Sequence, residues 1–80
     1  MQIKDAIITR FEELCAQRNI KYNELATLAG VTPSTVYSMM DRRRRNSSVL
    51  TVKKVCDGLG IAIPDFFASE IFRNLEQEIK

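Results

Sequence analysis

The sequence predicts an all-α domain of five short helices followed by a helical C-terminal extension. Its 80 residues fit one small domain, since a domain usually takes roughly 100–200 residues. Apolar residues recur at spacings of three and four along most of the chain, and no segment shows the strict alternation expected of a strand. Gly30, Gly60 and the two prolines stand at the ends of these periodic segments, where such residues end or begin helices.

The first predicted helix covers about Ile3–Arg18. Its apolar stripe has spacings of four, four and three, at Ile3, Ile7, Phe11 and Leu14. Asn19 suits the left-handed residue that ends a helix, and Ile20 suits the apolar contact that follows such an end. An amphipathic helix of this kind supplies one wall of a small core.

Two shorter helices follow, joined by a tight turn. The second is predicted over Tyr22–Ala29 and ends at Gly30, because glycine adopts a positive φ without steric cost. Thr32 and Pro33 begin the next helix, since threonine caps free N–H groups and proline has no N–H to leave unpaired. This third helix is predicted over residues 33–40.

A charged loop with four consecutive arginines separates the third helix from the fourth. Ser47 or Ser48 caps a fourth helix over Val49–Leu59, and Pro64 opens a fifth helix that carries two phenylalanines. In the last segment, apolar residues again recur at spacings of three and four. We therefore predict a domain over residues 1–68 and a helical tail over residues 69–80.

Charge is unevenly distributed along the chain. Residues 1–54 carry ten basic and five acidic side chains, whereas residues 55–80 carry two and five. The basic part favours a polyanionic partner. The sequence contains neither His nor Trp, and no nucleophile and base can be brought together by these helices. We expect no enzymatic activity, catalytic residue, metal or cofactor, and no small-molecule substrate is evident.

The two cysteines indicate a reducing environment. Cys15 and Cys56 each lie within an apolar helical pattern, without a CxxC motif, so we expect buried, reduced thiols. No apolar run approaches a signal-peptide core or a membrane span of about 20 residues. We expect a cytoplasmic protein without a membrane partner.

Residues 23–36 resemble the helix-turn-helix of the Cro and phage-repressor family, often called the Xre family. The residues that carry the resemblance are small or β-branched: Ala26, Gly30, Val31 and Val36. The resemblance extends over about residues 7–67. It implies a lambda-repressor-like fold in which the helix that begins at Pro33 enters the major groove of double-stranded DNA.

Specific DNA contacts are also implied by the resemblance. The implied base contacts are Pro33, Ser34, Tyr37 and Ser38. The implied phosphate contacts are Tyr22, Thr32, Thr35, Arg42, Arg43, Arg44, Arg45, Asn46 and Ser48. A serine hydroxyl discriminates bases less than the Gln, Arg or Asn that the family often has here. Taken alone, the arginine run also fits a solvated loop, but its place after the third helix favours a phosphate clamp.

The expected function is sequence-directed DNA binding by a small transcriptional regulator that acts as a homodimer. The predicted dimer contacts are Phe67, Ile71, Phe72, Leu75 and Ile79. Some of this apolar surface could instead fold back onto Ile3 and Ile7. The alternative function is a protein-interaction module or antitoxin of the same fold, in which the C-terminal half binds a protein partner.

Overall fold

Five α-helices and one short 3₁₀ turn make up the computed structural model, which describes residues 1–79. The elements are α1 (Ile3–Arg18), α2 (Tyr22–Ala29), α3 (Pro33–Met39), α4 (Val49–Leu59), α5 (Ile63–Phe66) and the 3₁₀ turn (Glu70–Phe72). The predicted all-α class is confirmed. The third helix ends one residue earlier than predicted, with Met40 as its C-cap, and the fifth begins at Ile63, one residue before Pro64.

The helix ends follow from local chemistry. Asn19 and Gly30 both adopt left-handed conformations, with φ of 54° and 70°, directly after α1 and α2. The backbone N–H of Ile20 donates to the Cys15 oxygen at 3.0 Å, which closes the C-terminal turn of α1. Of the two serines before α4, Ser48 is the N-cap, since its Oγ accepts from the Thr51 N–H at 3.4 Å.

The core lies between α1, the α2–α3 pair and α4. Its most fully buried apolar side chains are Phe11, Leu25, Val36, Val55, Cys56 and Phe66. Helices α2 and α4 approach closely at Gly58, where an added Cβ would overlap the carbonyl oxygen of Leu28. Ala26 is likewise buried without bulk. Gly58 thus allows α4 to pack closely against α2.

The prediction of a helical tail is wrong for residues 73–79, which form no helix. Their backbone bonds to the start of the chain instead, since the Glu76 N–H donates to the Met1 oxygen at 3.0 Å. The Glu76 carboxylate also lies 3.0 Å from the Met1 ammonium, and Glu78 accepts from the Ile3 N–H at 3.4 Å. Carboxylates are stabilised at the free N–H groups of a helix start. Lys80, also part of the predicted tail, lies outside the described residues.

Phe72 is the tail residue that joins the core. Its ring centroid lies 4.9 Å from that of Phe67 and 6.1 Å from that of Phe66, and Phe66 in turn packs on Phe11 at 5.2 Å. Of the apolar tail residues, Phe72 therefore packs onto this end of the domain, whereas Ile79 is 87% exposed. Among the described residues, no helix is long and apolar enough to cross a membrane.

Candidate nucleic-acid interface

The outer face of α3 presents the four predicted base-contact residues. Pro33 and Ser34 are exposed in its first turn, Tyr37 is 55% exposed and Ser38 is half-buried. Thr32 caps the helix, with its Oγ1 accepting from the Thr35 N–H at 3.3 Å. The outer face of α3 therefore has small side chains along its length and one large aromatic side chain, Tyr37, at its edge.

Tyr22 on α2 supports that aromatic. Its ring meets the Tyr37 ring edge-on, with centroids 5.9 Å apart, which is a geometry that aromatic pairs prefer. Burial raises the pKa of the Tyr22 phenol, and nearby Glu12 raises it further, so the phenol stays protonated and able to donate. Two of the predicted phosphate contacts lie apart from the arginine loop: Tyr22 is at the start of α2, and Thr32 is the N-cap of α3.

A cleft of about 320 Å³ opens between α3, the loop of residues 41–48 and the N-terminus of α4. Its lining residues are Thr35, Ser38, Met39, Arg44, Asn46, Ser47, Ser48 and Thr51. Five of these were predicted DNA contacts, whereas Met39, Ser47 and Thr51 were not. Because the first turn of a helix leaves N–H groups without intrahelical acceptors, the α4 end of the cleft favours anions.

Arg43 and Arg44 are paired with an acid in their own loop. Both Arg43 Nε and Arg43 Nη2 donate to the Asp41 carboxylate at 3.1 Å, and the Arg43 N–H donates to it at 3.0 Å. Arg44 Nε lies 3.8 Å from the same carboxylate. The hydrogen bonds from Arg43 lower the pKa of Asp41. Asp41 therefore folds the loop back on itself and neutralises part of its positive charge.

Arg42 and Arg45 are paired instead with α1. Arg45 Nη2 lies 3.0 Å from Asp5 Oδ2, and Arg42 Nη1 lies 3.3 Å from Asp5 Oδ1. Arg42 Nη2 also lies 3.5 Å from Glu12 Oε1. The hydrogen bond from Arg45 is the main cause that lowers the pKa of Asp5. All four arginines are exposed, and exposed ion pairs are weak enough for a phosphate to replace them.

Lys4 was not predicted to have a role, yet its side chain is buried beneath the loop. It is only 2% exposed, and its Nζ donates to the Asn46 carbonyl oxygen at 3.1 Å and to Ser47 Oγ at 3.0 Å. Burial lowers the pKa of Lys4, and Arg45 lowers it further. The sequence did contain a clue, because Lys4 precedes Ile7 and Phe11 at the spacing of the apolar stripe.

Two comparisons with known proteins agree with this architecture. The family model of the Cro/C1-type HTH DNA-binding domain matches residues 10–70. A solved structure described as "Crystal structure of the prophage Lp1 protein 11" is similar with a TM-score of 0.81 and 34% sequence identity. That similarity covers 94% of this chain and 100% of the other. No curated protein matches the chain. The family match spans every residue that lines the cleft but begins after Lys4 and Asp5.

Proposed function

The chain belongs to the Cro/C1-type helix-turn-helix DNA-binding family, and from this premise we propose that it is a small transcriptional regulator that binds double-stranded DNA with sequence preference. The observation that carries the proposal is the cleft, which joins Thr35 and Ser38 of α3 to Arg44 and the start of α4. A surface for base edges and a surface for phosphates then lie side by side. That is the arrangement by which a helix in the major groove is held in register.

Base contacts come from α3. We propose that Pro33, Ser34, Tyr37 and Ser38 face the base edges, because three of them are exposed and the fourth lies at the rim of the cleft. A hydroxyl bonds several base edges and a proline makes only apolar contact, so each contact discriminates weakly. The chain should therefore prefer a family of related sites over a single strict sequence.

Phosphate contacts supply most of the affinity. We propose that Arg44, Asn46 and Ser48 bind one phosphate in the cleft, assisted by the free N–H groups of α4. Arg42, Arg43 and Arg45 add contacts on either side by exchanging Asp5 and Asp41 for phosphates. Tyr22 and Thr32 donate to further phosphates from the α2 side, and Thr35 donates from within the cleft. Guanidinium binds phosphate with paired hydrogen bonds, which makes this exchange favourable.

Two copies are proposed to bind one operator. A single domain of this kind covers about one half-site, and two half-sites place the recognition helices ~34 Å apart. Of the predicted dimer contacts, Phe67 is 38% exposed and Ile79 is 87% exposed, so both remain available to a second copy. Ile71, Phe72 and Leu75 are half-buried in the same chain and would contribute only their outer edges.

The dimer is tested by sedimentation of the full chain, free and with a two-fold related duplex, alongside a chain that ends at Ala68. We expect a dimer on DNA and a self-association that is weaker in the shortened chain, which keeps Phe67 but lacks Ile79. A full chain that stays monomeric at high concentration and binds one copy per duplex would contradict the dimer. In that case the tail serves only to cover α1.

The cytoplasm is the location we propose for this activity. Cys15 and Cys56 are both free and buried, and burial raises the pKa of each thiol. Buried, protonated thiols are unreactive and suit a reducing compartment.

The DNA-binding proposal is tested by selection of bound duplexes from a random library, followed by titration of the selected site and of random duplex at several salt concentrations. We expect an enriched motif and an affinity that falls steeply with salt. Binding without enrichment would contradict a sequence preference. No binding at low salt would contradict DNA binding and favour the alternative of a protein-interaction module.

A further inference from the structure

We propose that Lys4 is a positioning residue for the cleft between α3, the loop and α4. Its buried side chain holds Asn46 and Ser47 in place from the α1 side and thereby sets the positions of Arg44 and Ser48 before DNA binds. The proposal rests on the proposed function, since it assigns a residue to the same cleft. Lys4 itself does not reach the DNA, because it is almost completely buried.

The geometry connects Lys4 directly to the cleft. Its two hydrogen bonds, at 3.1 Å and 3.0 Å, go to Asn46 and Ser47, and both of these residues line the cleft. They belong to a segment without helix or strand, so no regular hydrogen-bond ladder fixes them. Lys4 belongs to α1, a helix of 16 residues packed into the core. A segment without regular secondary structure is in this way tied to a helix that is packed into the core.

The charge of Lys4 is not explained by stability. Among residues 1–79, its Nζ has neutral acceptors only, and no carboxylate lies within 4.0 Å of it. The charged groups of the loop that act on it electrostatically are Arg45, Asp41 and Arg44, and the two arginines repel it. Burying a cation without an anionic partner is costly, and an apolar side chain of similar length often serves a core better. We therefore expect that a lysine here adds no stability over an apolar side chain, while it fixes the loop.

Two consequences for binding follow from this arrangement. A loop that is already ordered loses less conformational entropy when a phosphate arrives, so the complex is tighter. The buried ammonium also adds positive potential beneath the cleft, where burial protects it from screening by salt. Both effects strengthen DNA binding without a direct contact.

The test replaces Lys4 with methionine, which keeps the length of the side chain and removes its charge. For Lys4→Met we expect the midpoint of thermal unfolding to be unchanged or higher. We expect the Kd for the selected duplex to rise about tenfold, the factor that corresponds to a hydrogen bond to a charged group. In the free protein, NMR order parameters of the Asn46 and Ser47 backbone amides should fall, while that of Val55 in the core should not change.

Lys53→Met is the matched control, because it removes the same formal charge from an exposed lysine that already pairs with Asp57. We expect it to change the Kd by no more than about twofold. Ser47→Ala removes one acceptor of Lys4 and leaves the lysine in place. If both residues act through the same bond, Lys4→Met combined with Ser47→Ala should weaken binding less than the two separate effects multiplied.

The outcomes separate this inference from the function on which it rests. Wild-type binding together with unchanged binding by Lys4→Met would overturn the role of Lys4 alone. A marked fall in unfolding midpoint for Lys4→Met, with Ser47→Ala binding DNA as tightly as the wild type, would also overturn it, since Lys4 would then act on stability. Failure of the wild-type protein to bind any duplex would overturn the proposed function, and the role of Lys4 in DNA binding with it.

Discussion

The arginine loop of residues 41–48 and the tail of residues 69–79 both pack against the first half of α1, but they differ in what holds them there. The loop is held by polar bonds to Lys4 and Asp5. The tail is held by the aromatic contacts of Phe72 together with two glutamates at the start of α1. Exposed ion pairs are weak, so their charged groups exchange partners readily. Buried apolar contacts are lost only when apolar surface is returned to water, which is unfavourable. The loop is thus suited to bind a ligand, and the tail is suited to complete the core.

The largest expected effect concerns the tail. Phe72→Ala should lower the free energy of unfolding by about 2 kcal/mol, less than a fully buried phenylalanine because Phe72 is half-buried. Urea denaturation measures this, and Ile79→Ala serves as the control at an exposed position in the same tail. Equal stability of the two variants would show that the tail does not belong to the core and would remove the contrast with the loop.

The next effect concerns the loop. Replacing both Arg43 and Arg44 with alanine should weaken binding to selected and to random duplex by similar factors. The salt slope should become shallower by about 0.9 for each phosphate that the variant no longer neutralises. Arg73→Ala, which removes a tail arginine paired with Glu70, should leave both affinities unchanged. Weaker binding restricted to the selected sequence would mean that the loop arginines contact bases.

A smaller effect is expected from the two serines of α3, Ser34 and Ser38. Ser38→Ala should change relative affinities among related sites by about 1 kcal/mol or less, because one hydroxyl discriminates less than a bidentate pair. Ser34→Ala tests the neighbouring position in the same way. The measurement is competition between selected duplexes that differ at single base pairs. If neither variant alters the ranking of sites, sequence preference resides outside these two serines.

The smallest effect concerns Asp41, which pairs with Arg43 and Arg44 in the loop. Asp41→Asn should tighten binding to all duplexes by about two- to threefold, since an exposed ion pair with Arg43 no longer has to be broken. Titration at low salt measures the change, with Asp57→Asn on α4 as a control that alters net charge equally. Weaker binding by Asp41→Asn would mean instead that Asp41 orients Arg43 toward the phosphate.

The sequence by itself determined the bounds of α1, α2 and α4 and the start of α3. Apolar spacing located α1, α2 and α4, and single residues such as Asn19, Gly30 and Thr32 ended or began helices as predicted. These features depend on residues no more than a few positions apart, so the local sequence contains the whole cause. The resemblance to the Cro and phage-repressor family was confirmed on the same segment.

Only the tertiary structure decided what lies beneath the loop and where the tail goes. Lys4 lies 42 and 43 positions from its two acceptors, and no spacing rule relates residues so far apart. With Ser47 bonded to Lys4, Ser48 caps α4, a choice that the sequence had left open. In the tail, the spacing of three and four between apolar residues is compatible both with a helix and with a non-helical segment that packs on the core. Backbone bonds to the start of the chain decided between these two conformations.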